Sequence, residues 1–260
     1  MQNEFDFTGK NVLITGAGSG IGRSTAIEFA KAGAKVFIVG RRLEKLSETA
    51  DIMKKFGGKC FIEACDVSNK EDVRNVVTSA EKKMGPIDVL VNAAGVTGVF
   101  AVGDITEEKN EWEKQININL NGTAYMSGAV VKKMAERKYG RIVNVASVNA
   151  FVTSKTVARH AYNASKAGVC GLTRGMSSTY AGSGITVNAI CPGLFKSEMT
   201  EKLFSDKFVI ATFCRQVPAS RVGNLEEIAG PILFLSSDLA SYITGQCLAV
   251  DGGMSSASYL

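Results

Sequence analysis

The chain has one histidine in 260 residues and six cysteines, at 60, 65, 170, 191, 214 and 247, with no C-x-x-C pair among them. That inventory argues against a metal cluster and reads as reduced, mostly buried thiols. No run of eighteen apolar residues, no apolar leader and no lipidation signal is present, so no membrane partner is expected and the cytosol is the expected location. The net charge is +5, but cations alternate with acids and neither a helix-turn-helix nor a zinc-finger pattern occurs. A mildly basic solvated surface follows, and nucleic acid is not an expected partner. Repeats, linkers and low-complexity tracts are also missing. With 45% hydrophobic and 21% charged residues, residues 1–260 read as a single globular domain, long enough to bury about three quarters of its unfolded surface. Only the polar ends, Met1 to Asp6 and Ser255 to Leu260, read as lacking order.

What is present is an alternation. Asn11 to Thr15 is a short apolar run, predicted as a strand buried on both faces. Gly16-Ala17-Gly18-Ser19-Gly20-Ile21-Gly22 follows, then a helical stretch from Arg23 to Ala32. Strand, glycine turn and helix in that order suit a pyrophosphate, because the turn brings backbone close to the phosphates and the helix N-terminus meets their charge. Gly16, Gly18, Ser19, Gly20, Ile21 and Gly22 are therefore candidate cofactor residues. A second strand, Lys35 to Val39, ends at Gly40-Arg41-Arg42, where a nucleotide-binding fold reads the adenosine ribose. Glycine there leaves room for a 2′-phosphate and the arginines neutralise it, so Arg41 and Arg42 favour NADP(H) over the alternative, NAD(H).

Leu43 to Phe56 reads as a helix and Lys59 to Ala64 as a strand, followed by Asp66-Val67 where an adenine would lie. Ser68 to Glu71 reads as a capping box for a helix ending at Met84. Asp88 to Val91 is a fourth strand, ending in Asn92-Ala93-Ala94-Gly95. Val96 to Lys109 reads as a loop with a short turn, and about 111–138 as one long helix. Asn117, Asn119 and Asn121 sit within it against their propensity, so something local must favour them. Strands at Arg141 to Ala146, Ile185 to Ile190 and Gly245 to Asp251 complete seven; Ser147 stands at the tip of the fifth, and Asn224 with Glu227 caps a last helix to Ser236. This spacing predicts a doubly wound α/β fold: a parallel seven-stranded sheet of Rossmann type with helices on both faces.

Tyr162-Asn163-Ala164-Ser165-Lys166 places a phenol and an ammonium four apart, on one helix face. A nearby ammonium favours the phenolate, which brings a group with a pKa of about 10 toward catalytic use.

These motifs together resemble the short-chain dehydrogenase/reductase family, most closely its 3-oxoacyl carrier-protein reductase-like members. The Thr15-Gly16-x-x-x-Gly20-Ile21-Gly22 turn, Asn92-Ala93-Ala94-Gly95, Asn119, Ser147, Tyr162-x-x-x-Lys166 and Pro192-Gly193 stand in family order over about residues 8 to 254. The resemblance implies that Tyr162 gives and takes the proton of a carbonyl or hydroxyl oxygen. Ser147 would hold that oxygen, Lys166 would lower the tyrosine pKa and bind the nicotinamide ribose, and Asn119 would hold a water on a proton path. It also assigns Asn92, Ala93, Gly95, Pro192, Gly193, Leu194 and Ser197 to the cofactor, about 194–216 to a substrate lid, and self-association as a dimer or tetramer to the two long middle helices.

The expected function is hydride transfer between NADP(H) and a secondary alcohol or ketone. An NAD-linked polyol, sugar-acid or hydroxysteroid dehydrogenase is the alternative within enzymes, and a non-catalytic cofactor sensor or scaffold the alternative outside them. Lys138 matches one of the two basic positions that meet an acyl carrier protein in those reductases, but Ser183 occupies the other. Thr179 replaces a glutamate of the subunit-contact helix. The loop from Val148 to Ala161 carries Lys155, Arg159 and His160, which read either as solvated loop charges or as cations that meet a carboxylate or phosphate of the substrate.

Overall fold

A computed structural model describes residues 5–106 and 111–257; the outermost expected tails and the end of the Val96 to Lys109 loop lie partly outside them. Seven strands, β1 Asn11–Thr15, β2 Lys35–Gly40, β3 Lys59–Ala64, β4 Val89–Asn92, β5 Gly140–Val145, β6 Ile185–Pro192 and β7 Cys247–Val250, form one sheet in the order β3-β2-β1-β4-β5-β6-β7. Every pairing is parallel. The chain reverses its direction of travel across the sheet after β3, so the gap beside β1 and β4 opens at their C-terminal ends, where sheets of this kind bind ligands.

Side chains alternate between two cores because the strand period is two. Val12 and Ile14 face a cluster with Phe29 of α1 (Gly20–Lys31), Leu46 and Met53 of α2 (Leu43–Lys54) and Ile232 of α9 (Leu225–Ser236). Leu13 faces the other way, toward Val76 of α3 (Lys70–Met84) and Met126 and Met134 of α5 (Gly122–Glu136). Burial on both faces is why these strands are continuously apolar rather than alternating. Fully buried Leu13 would cost roughly 2–5 kcal/mol if cut back to alanine.

The expected long helix is instead three pieces: α4 (Glu111–Ile116), a π turn over Asn117–Asn121, and α5. The asparagines mark the turn. Asn119 is fully buried, and its Nδ2 donates to Val96 O at 3.0 Å and Ser165 Oγ at 3.0 Å, while its Oδ1 accepts from Val96 N–H at 2.8 Å. These bonds compensate for a helical geometry that is uncommon in a straight helix interior. The helix start at α3 also differs from expectation. Asn69 is its cap, with Oδ1 accepting from the N–H groups of Glu71 and Asp72, because Ser68 turns back to Asp66 at 2.6 Å. At α9 Glu227 accepts from Asn224 N–H at 2.8 Å, as its spacing predicts.

Helix α6 (His160–Tyr180) carries Tyr162 and Lys166. Beyond β6 the chain forms a short 3-10 turn at Glu198–Thr200, then α7 (Glu201–Phe204) and α8 (Lys207–Arg215). Among the described residues no helix is long and apolar enough to cross a membrane, and no three His, Cys, Asp or Glu side chains are placed to hold a metal ion.

Candidate active site

The C-terminal ends of β1, β2, β4, β5 and β6 surround one cleft of about 260 Å³. One wall is the glycine turn, and two of its glycines are required by packing alone. Gly16 has φ +67°, and a Cβ there would lie 2.7 Å from the Ala94 backbone; a Cβ on Gly22 would lie 2.5 Å from Gly16 O. The turn therefore folds tightly onto the tip of β4 and leaves the free N–H groups at the start of α1 facing the cleft. Gly18, Ser19, Gly20 and Ile21 line the same wall. This is a cradle that side chains would fill, and it fits a dinucleotide pyrophosphate.

At the adenosine end stand Gly40, Arg41, Arg42, Asp66 and Val67. Burial pushes the Asp66 carboxyl up, but the Ser68 hydroxyl and N–H, helped by the Arg41 charge, hold it below its ordinary value. Arg42 is already engaged: its Nη2 lies 2.6 Å from Glu198, with Lys45 at 3.9 Å from the same carboxylate. A 2′-phosphate would therefore compete with Glu198 for Arg42.

Ala93 and Gly95 after β4, Pro192 at the end of β6, and Gly193 and Ser197 beyond it line the opposite end of the cleft. Two expected cofactor residues do not. Asn92 is buried, its Nδ2 donating to Ser127 Oγ at 3.0 Å and Asn144 Oδ1 at 2.9 Å. The side chain thus ties β4 to β5 and α5. Leu194 lines a separate hollow with Phe213 and Val217, because its carbonyl is anchored by Gly223 N–H at 3.0 Å.

Ser147, Tyr162 and Lys166 meet on the cleft floor. Ser147 Oγ accepts from Asn149 N–H at 3.1 Å, which fixes the hydroxyl after β5. Burial pushes the Tyr162 phenol above its ordinary value, and its hydrogen bond with Ser147 and the charge of Arg159 pull it back in part. The expected partner, Lys166, stands over the Tyr162 ring. Its Nζ is 5.8 Å from the Tyr162 ring centre and donates to Val145 O at 2.7 Å, and burial lowers its pKa to about 8. Asn119 reaches this region through Ser165 Oγ, which in turn donates to Tyr162 O at 2.8 Å, and beside Gly95, where a Cβ would lie 3.3 Å from Asn119 Oδ1 and 3.4 Å from Lys166 Nζ.

Of the three basic residues of this segment, Arg159 acts on Tyr162. Its guanidinium donates to Thr97 Oγ1 at 3.3 Å. Lys155 is exposed, and His160 is exposed with its Nδ1 accepting from Val102 N–H at 3.0 Å.

Three positioning residues were absent from the sequence-based set. Thr15 Oγ1 accepts from both Ala93 and Ala94 N–H at 3.0 Å, pinning the tip of β4 to β1; it was visible as the first residue of its motif. Asn149 could be suspected from its place two residues after Ser147, a spacing at which a hydroxyl caps backbone. Glu198 gave no signal, since 156 residues separate it from Arg42.

The geometry defines a dinucleotide-dependent oxidoreductase site, and the comparisons agree. Residues 16–255 match the family described as Enoyl-(Acyl carrier protein) reductase. The chain is 39% identical over 249 residues to a 3-oxoacyl-[acyl-carrier-protein] reductase of Rickettsia felis, covering 96% of this chain and 98% of that one. It is 37% identical over 254 residues to the 5-keto-D-gluconate 5-reductase of Escherichia coli K12, covering 98% of each. A solved gluconate 5-dehydrogenase from Burkholderia cenocepacia, in complex with NADP and tartrate, superimposes with a TM-score of 0.92 at 33% identity over 99% of each chain. The chain belongs to the short-chain dehydrogenase/reductase family, and it is an oxidoreductase.

Proposed function

We propose that this chain moves a hydride between NADP(H) and the secondary alcohol or ketone of a small carboxylate-bearing substrate, a hydroxy or keto acid of the sugar-acid type. The observation that carries the reading is Tyr162, held between the Ser147 hydroxyl and the Arg159 charge on the floor of a cleft that begins at the α1 N-terminus. The nicotinamide, when bound, supplies or accepts the hydride. The protein's own work is orientation and proton transfer.

In reduction, Ser147 positions the carbonyl oxygen by a hydrogen bond and Tyr162 protonates it; oxidation runs the same contacts in reverse. A phenol raised by burial stays protonated through neutrality, which suits the acid role. Lys166 and the ends of β4 and β6 would hold the nicotinamide half, and the glycine turn the pyrophosphate. Arg159 pairs with the substrate carboxylate. Relatives named for 5-ketogluconate and gluconate support a substrate of this charge, while Ser183 in place of a second basic residue disfavours a carrier protein. The enzyme works in the cytoplasm as a homodimer or homotetramer, with α5 and α6 as the contact helices; size-exclusion chromatography tests that assembly.

A charge-assisted hydrogen bond contributes about 1.5–3 kcal/mol, so Arg159→Ala should raise KM for 5-ketogluconate roughly 10- to 100-fold. A neutral ketone should be affected little. Equal losses on both substrates would refute the carboxylate contact.

The NAD(H) reading has one observation in its favour. Glu198 sits on Arg42, and a carboxylate there repels a 2′-phosphate. Parallel assays with NADPH and NADH decide between the cofactors.

A further inference from the structure

Three of the six cysteines converge behind the catalytic helix. Cys170 on α6 and Cys191 at the end of β6 are buried, with their Sγ atoms 3.8 Å apart. Cys247, at the start of β7, is only partly buried, and its Sγ lies 3.9 Å from Cys170 O. The Arg174 guanidinium, one helical turn beyond Cys170, sits 3.8 Å from the Cys247 sulfur. All three thiols are free.

The three are not equivalent. The neighbouring Cys170 and Cys191 thiols and the Arg174 guanidinium, which donates to the Cys247 sulfur, favour a Cys247 thiolate against the effect of burial; when protonated, its S–H is placed to donate to Cys170 O. The same contacts push Cys191 the other way. A partly accessible thiolate beside a cation and a neighbouring thiol is the arrangement that reacts with peroxide. In a reducing compartment, disulfides that do form are transient and regulatory.

We propose that Cys247 is a peroxide-reactive thiol and Cys170 its resolving partner, forming a reversible disulfide between β7 and the catalytic helix α6. The Cys247 thiolate attacks one peroxide oxygen, the O–O bond breaks, and hydroxide leaves with the bonding pair, giving a sulfenic acid. The Cys170 thiol then attacks that sulfur and water departs. Two thiols are oxidised by two electrons and one hydrogen peroxide is reduced.

Strand geometry selects Cys170 over Cys191. Cys247 pairs with Ala189, two residues before Cys191. A spacing of about 4.8 Å between strands and about 3.3 Å per residue along them places the Cα atoms of Cys191 and Cys247 roughly 8 Å apart. Disulfides need less than about 7 Å. A helix side chain has no such fixed register. The consequence reaches the active site, because Cys170 lies one turn after Lys166 and two after Tyr162 on the same helix, so drawing it to β7 displaces both.

The full-length enzyme, loaded with NADPH, would be treated with graded hydrogen peroxide, its free thiols blocked, and its peptides mapped by mass spectrometry. The expected result is a Cys170–Cys247 linkage, at least a tenfold loss of turnover, and recovery of both with dithiothreitol. Cys170→Ser should instead leave a dimedone-reactive sulfenic acid at Cys247, and Cys247→Ser should lose the linkage while keeping basal turnover. Mapping of the unaltered chain is decisive without either variant. Oxidation of Cys214 or Cys60 with Cys247 untouched, or a linkage that leaves turnover unchanged, would overturn the proposal.

Discussion

Replacing Lys166 with methionine should stabilise the protein while abolishing its activity. Lys166 is 4% exposed, and burial lowers its pKa from 10.5 to about 8. That difference corresponds to roughly 3 kcal/mol of penalty on the charged form. Methionine removes the charge at similar volume but loses the bond to Val145 O, worth about 1 kcal/mol. The net gain near neutral pH is about 2 kcal/mol, or roughly 4–8 °C in Tm. The pH dependence has a defined sign. Between about 8 and 10.5 the folded enzyme binds fewer protons than the unfolded chain, so its stability rises with pH through that window. The variant lacks this rise. Urea unfolding at pH 7 should therefore favour Lys166→Met, and at pH 10 the advantage should be nearly gone. A variant less stable at pH 7, or a difference independent of pH, would refute the assignment of Lys166 as a buried, strained cation.

Other perturbations follow from the same geometry. Gly40→Asp should move preference from NADPH toward NADH by tenfold or more in the ratio of kcat/KM, since a Cβ there meets only Leu46 at 3.6 Å and a carboxylate repels a phosphate about as strongly as it attracts a free ribose hydroxyl. Glu198→Gln should tighten NADPH binding, and leave NADH nearly unchanged, by releasing Arg42; isothermal titration checks it. Gly16→Ala should unfold the glycine turn or abolish cofactor binding, because φ +67° and the Ala94 backbone both oppose a side chain.

The fold was legible because its signals are local. Continuous apolar strands such as Asn11–Thr15, a glycine turn and a following helix each announce themselves within a dozen residues, and their alternation dictates a parallel sheet. The cleft residues were legible for the same reason, as short motifs at strand ends. What escaped was anything decided by contacts distant in the chain. Asn92 carries a motif position yet spends its amide on Asn144 and Ser127. The three asparagines of the middle helix signalled an anomaly, but only the partners of Asn119, Val96 and Ser165, explain the π turn. Helical spacing put Lys166 beside Tyr162, and its ammonium does lie over that ring, but its hydrogen bond to the carbonyl of Val145, on another element, left no sign in the sequence.

The most direct test of the account is NADPH oxidation with 5-ketogluconate, compared between the unaltered enzyme and Tyr162→Phe, with cofactor binding measured on both. General acid–base groups contribute about 10²- to 10⁴-fold, so the variant should bind NADPH normally and turn over at least a hundredfold more slowly. Retained turnover in Tyr162→Phe, or NADPH binding without turnover in the unaltered enzyme across keto acids and ketones, would contradict it.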